Sequence, residues 1–181
     1  MRRVLIIFSA FAALWGVAAA DHRDPQLDAL FEELRQGPAE DADGTIRRIM
    51  AIWADSDSDT VDLLYARAVQ CVTDNDWALA TALLDHAIGL SPNFAQAYVL
   101  RGVARNGGED TNGASHDFLK SIELEPRHFA ARMYLAEIAY RDGDKTAAYN
   151  LYQEVLRWNP HEPLAVERAR ALRDAMDRQD I

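Results

Sequence analysis

Five histidines, one cysteine and a short run of acids are the residues of this chain most able to do chemistry. The histidines are His22, His86, His116, His128 and His161. A metal site on a helix needs ligands one turn apart, or a histidine paired with cysteines at short spacing. No two of these histidines stand so, and Cys71, the single cysteine, lies near none of them. One thiol forms neither an intramolecular disulfide nor a thiolate cluster, and Cys71 reads as a buried packing residue. Asp55-Ser-Asp-Ser-Asp59 alternates acids as a calcium loop does. Such a loop also needs glycine in its sixth place and glutamate in its twelfth, where this chain has Thr60 and Ala66. The segment is expected to be a turn, with Ser58 or Asp59 capping the helix that follows. Gly107-Gly108 lacks the downstream glycine and lysine of a phosphate loop, and no Gly-x-Ser-x-Gly elbow occurs. Paired carboxylates on solvated faces are ordinary in an acidic protein and do not imply acid–base catalysis. The expectation is therefore no catalytic residue, no metal and no cofactor.

The elements that position these residues follow from a period. Pro92, Pro126 and Pro160 stand 34 residues apart. Aligned on them, Ala68, Gly102 and Ala136 share one column, and Ala80, Ala114 and Ala148 another. Leu84, Phe118 and Tyr152 share a third, and Asp74, Gly108 and Asp142 mark a turn. Two antiparallel helices approach closely where both carry small side chains, and large ones fill the gaps beside them. A proline after the second helix stops it. The period therefore predicts three stacked helical hairpins, over 61–94, 95–128 and 129–162.

These columns resemble the tetratricopeptide repeat (TPR) family, a helix-turn-helix of this period. The small–xxx–large–Pro signature appears as Ala80, Leu84, Pro92, then Ala114, Phe118, Pro126, then Ala148, Tyr152, Pro160. The family's Leu-Gly pair appears as Arg67-Ala68, Arg101-Gly102 and Leu135-Ala136, so arginine replaces leucine twice. Its early aromatic is kept as Tyr98, with Leu64 and Arg132 at the other two places. The resemblance implies an all-α fold, a right-handed solenoid of hairpins, and a surface for binding rather than a reaction.

A solenoid has ends. Pro163 can open a helix, and Ala165, Ala169, Leu172 and Met176 recur at helical spacing, which predicts a capping helix over 163–178. Upstream, Leu27, Leu30, Phe31 and Leu34 form one apolar stripe and Ile46, Ile49, Met50 and Trp53 another, broken by Gly37-Pro38. They predict a degenerate N-terminal hairpin over 25–57, which either packs as a repeat or folds across the groove. Arg2-Arg3, the apolar run Val4 to Val17 and Ala18-Ala19-Ala20 read as a signal peptide over 1–20, cleaved after Ala20. That places the chain in the periplasm or outside the cell; an uncleaved inner-membrane anchor is the alternative. Cleavage would remove two arginines and no acid, making the net charge of −10 more negative still. That balance disfavours nucleic acid and anionic lipid, which need lysine and arginine against phosphate.

In the TPR family the first helix of each repeat lines the concave face. Carried over by column, the inner residues are Tyr65, Val69 and Val72, then Val99, Leu100, Val103 and Asn106, then Met133, Glu137, Tyr140 and Arg141. The lysine–asparagine–arginine set with which some TPR modules grip a terminal carboxylate is missing at Tyr65, Val69 and Leu100. The groove residues Tyr65, Val69, Val99, Val103, Met133 and Tyr140 instead predict an apolar seat for a peptide or protein segment. The expected function is a non-catalytic interaction module of the bacterial cell envelope. The alternatives are a self-associating structural subunit or an assembly factor for an envelope complex, with monomer or homo-oligomer left open.

Overall fold

The computed structural model describes residues 25–178; the segment read as a signal peptide lies outside them. The described residues form nine helices and no strand: α1 Pro25–Gln36, α2 Ala39–Trp53, α3 Asp59–Thr73, α4 Trp77–Leu90, α5 Ala95–Gly107, α6 Thr111–Leu124, α7 Phe129–Arg141, α8 Lys145–Trp158 and α9 Pro163–Asp177. None of them is long and apolar enough to cross a membrane.

The pairs α3/α4, α5/α6 and α7/α8 are hairpins packed in sequence, and α9 closes the row against α8. Each hairpin is built on the small columns. Ala68, Ala80, Ala114, Ala136 and Ala148 are fully buried, as are Leu84, Phe118 and Tyr152 between them. At Gly102 a Cβ would stand 2.6 Å from the Phe118 ring, so the largest apolar neighbour is matched with the smallest residue.

The turn inside each hairpin repeats one device. Asn75, Glu109 and Gly143 have positive φ, which lets the chain reverse. The next residue, Asp76, Asp110 or Asp144, then caps the second helix. Each accepts a hydrogen bond from the backbone N–H three residues on, at 3.2, 2.9 and 2.9 Å. Between hairpins the proline stands in a tight turn, with Phe94 N–H donating to Ser91 O, His128 to Glu125 O and Glu162 to Asn159 O. These three turns line one edge of the stack.

The helices of the N-terminal hairpin meet that edge. The stripe Leu27, Leu30, Phe31, Leu34, Ile49 and Trp53 forms one core with Phe129, and Ala130 and Trp158 pack against it. Phe31 lies 5.8 Å from Trp158 and 6.4 Å from Phe129, and Trp53 stacks on His128 at 4.1 Å. Arg127 ties the edge to α1 through Asp28 at 2.5 Å and holds its guanidinium 5.0 Å over Phe31. This docking differs from stacking ahead of α3 and from folding across the groove. Counted by the period, Leu34 and Ile46 stand at the two small columns. Their bulk prevents the close helix approach that a repeat requires.

The turn before α3 is also set differently from the sequence expectation. Ser58 is the N-cap residue but its side chain makes no capping bond. Asp62 reaches back instead, accepting from Ser56 N–H at 3.0 Å and from Ser56 Oγ at 2.6 Å. Among the described residues no group of three or more His, Cys, Asp or Glu is placed to hold a metal ion.

Candidate functional site

The first helices α3, α5 and α7 lie side by side, cross-linked by polar bonds. Gln96 on α5 is 6 % exposed. Its Nε2 donates to Tyr65 Oη at 3.1 Å, and its Oε1 stands 2.8 Å from His128 Nε2. His128 Nδ1 accepts the Ala131 N–H at 3.4 Å, capping α7. With Nδ1 used as acceptor, Nε2 carries the hydrogen and donates to Gln96. Trp53 of the N-terminal hairpin lies flat on the same imidazole. One chain of contacts thus runs from the hairpin through α7 and α5 to Tyr65 on α3. At the other end of the row Arg141 Nη2 donates to Asn106 Oδ1 at 3.3 Å.

The inner residues differ in what they offer. Val69 is 40 % exposed and Tyr140 37 %. Tyr65 is half-buried, with its ring 5.3 Å from Phe94, and burial raises its phenol pKa, against the opposing bond from Gln96. Val103 is half-buried against the α5–α7 core, and Met133 against the α7–α9 core. Val99 is 4 % exposed and packs with Phe118 and Ala131, so it supports the wall and presents no surface. Glu137, also half-buried, accepts the Tyr152 hydroxyl. Burial and that carboxylate raise the phenol pKa of Tyr152.

Two features were not read from the sequence. Arg101, the arginine at the second Leu-Gly column, belongs to an ion network. Asp117 is fully buried. Arg101 Nε and Nη2 reach it at 2.9 and 2.7 Å and Arg105 Nη1 at 2.9 Å, while Arg101 Nη1 binds Asp85 at 2.6 Å. Burial disfavours the Arg101 charge, and the bonds to Asp117 and Asp85 outweigh it, raising its pKa. Arg101 and Asp117 lie 16 residues apart on facing helices, a distance at which no local pattern reports a pair. The second feature is Arg168 of α9, which lies 4.2 Å over the Tyr140 ring and donates to its hydroxyl at 2.9 Å. It stands one period after Tyr134, so the capping helix could have been read as one more inner helix.

No family model matches the chain. A TPR repeat-containing protein of Rhizobium etli is 26 % identical over 152 residues, 83 % of this chain and 74 % of that protein. The structure of the first TPR of Spaghetti bound to an HSP90 peptide superposes with a TM-score of 0.61 at 15 % identity, covering 68 % of this chain and 96 % of that one. The hairpins have the tetratricopeptide repeat fold. The crystal structure of MamA, at a TM-score of 0.52 and 18 % identity, covers 74 % of this TPR chain and 79 % of its own. RNA polymerase II-associated protein 3 of Xenopus tropicalis is 39 % identical over 62 residues, 34 % of this chain and 9 % of that protein. The TPR fold accounts for the hairpin columns, and it is a fold of protein–protein interaction modules.

Proposed function

We propose that this TPR protein is a non-catalytic adaptor that holds an extended segment or an amphipathic helix of a partner against α3, α5 and α7, and that it works in the cell envelope. The observation that carries the binding role is the exposure of Val69 and Tyr140 on the inner face, 40 % and 37 %, beside half-buried Tyr65 and Val103. Exposed apolar side chains there gain about 25 cal/mol for each Å² that a partner covers. The solved TPR neighbour with a bound HSP90 peptide supports a peptide as partner. The envelope role rests on the basic, apolar and small-residue sequence of residues 1–20.

Photo-crosslinking in intact cells tests both parts. A photoreactive side chain at Val69 should capture a discrete partner, and one at Leu119, 59 % exposed on α6, should not. Equal capture from both positions sinks the groove. Sequencing the N-terminus of the recovered protein should begin at Asp21, and an intact Met1 would remove the cleaved signal.

A second reading, self-association, is favoured by the open end of the stack. Ala97, Ala131 and Ala165 share one column and are fully buried, each beneath the preceding hairpin. Leu63 stands in that column on α3 and is 62 % exposed.

A further inference from the structure

We propose that the cleft between the N-terminal hairpin and the first inter-hairpin turn binds a basic residue, lysine or arginine, in a segment of a partner protein. The site is separate from the groove, since none of the residues that line it is an inner-face residue.

The cleft continues an interface the molecule already uses. At the second and third turns of the loop edge, Phe31 and Trp53 pack on His128, Phe129 and Trp158. One period earlier the same columns hold Phe94, Ala95 and Leu124. There the hairpin leaves a cleft of about 450 Å³, a size that suits a side chain with its main-chain neighbours. Leu27 and Ile52 of the hairpin face Phe94 and Leu124 of the stack across it. Leu27, Trp53 and Phe94 are buried and make an apolar floor, while Asp55, Asp57 and Asn93 are exposed at the rim.

Charge decides the sign of the occupant. Asp55, Asp57 and Glu125 line the cleft, and among the described residues no lysine or arginine does. Glu125 is taken up by Arg127, which also holds Asp28. Asp55 Oδ1 accepts the Asp57 N–H at 3.0 Å, and neither carboxylate has a cationic partner among the described residues. Unpaired acids are common on this chain, but these two stand over an apolar floor. The N-terminus of α5 opens on the same cleft and favours an anion by about half a unit charge, which two full carboxylate charges outweigh. Lysine and arginine match this layout, because each carries a charged head on an apolar stem.

The uncharged groups point to a peptide rather than a free amine. Trp53 is 8 % exposed and lines the cleft, and its indole N–H is buried with no hydrogen-bond partner among the described residues. A buried donor without an acceptor is costly, and a main-chain carbonyl brought into the cleft would supply one. The Asn93 amide and the Ser91 hydroxyl stand beside it to meet the rest of a peptide unit.

An NMR titration of the full chain tests the site with N-acetyl-arginine methylamide, its citrulline analogue and butylguanidine. The citrulline analogue keeps the shape without the charge, and butylguanidine keeps head and stem without the amides. The arginine probe should move the Trp53 indole N–H signal and the amides of Phe94 and Ala95, and bind about tenfold more tightly than either other probe. Its lead over the citrulline analogue should shrink in high salt and vanish in Asp55→Asn/Asp57→Asn. Asparagine keeps the Oδ1 acceptor of this turn and tolerates the positive φ of Asp57, so the double variant retains the fold. Equal binding of the citrulline analogue, or a lead kept in the double variant, overturns the site. Shifts spread over Asp59, Asp74 and Asp144 would mean attraction to the acidic surface at large and overturn it too. Equal binding of butylguanidine overturns a peptide as the occupant. A Trp53 signal moved by Arg23→Gln in the free protein would put the chain's own segment in the cleft and overturn a partner there.

Discussion

His128 has both ring nitrogens committed, Nδ1 to the Ala131 N–H and Nε2 to Gln96. Protonation would release the α7 cap and bury a charge, so burial, with the Arg132 charge added to it, pushes the pKa down to about 3. The sign follows. The unfolded chain takes up this proton near the ordinary value of 6.5, so stability from the neutral ring is present above that pH and lost as pH falls toward 3. Between pH 7 and pH 5 the loss is about 2 kcal/mol. Urea melts of the wild type should show that drop, and His128→Asn, whose amide oxygen can still cap α7, should lose less. An equal drop in both would show that the ring is not the titrating group. None of this could be read from a lone histidine in sequence, because its partners lie on α5 and α2.

At the level of elements the N-terminal hairpin is the departure. Its first helix starts one period before α3, at Pro25 against Asp59, as α7 starts one period before α9, at Phe129 against Pro163. Packing breaks the step, because Leu34 and Ile46 occupy small columns and because the aromatic stripe finds Phe129 and Trp158 at the loop edge. Phe31 is the centre of that contact, touching Trp53, Phe129 and Trp158. Phe31→Ala should cost about 3–5 kcal/mol and free the hairpin before the stack unfolds. Limited proteolysis should then cut first between residues 54 and 58. Cleavage inside α5 or α7 at the same rate would mean that hairpin and stack unfold as one unit.

For the molecule as a whole, the two ends of the row are unlike. At α9 the columns that follow Ala131 and Leu135 are closed by Ala165 and Ala169, 0 % and 4 % exposed, while at α3 Leu63 and Arg67 face solvent. If copies join through that end, light scattering on the eluting protein should give more than one chain, and Leu63→Asp should restore the mass of one. A single-chain mass for the wild type removes self-association and leaves the groove reading alone. The sequence by itself determined the hairpins and their turns, because small residues and prolines at a fixed period act locally and leave one way to pack. Tertiary structure alone decided that Val99 is buried, that Arg101 answers Asp117, that Arg168 lies over Tyr140 and that the hairpin docks on the loop edge. Each of those depends on side chains far apart in the chain, whose meeting is set by the angle and bulk of packed helices rather than by any spacing along the backbone.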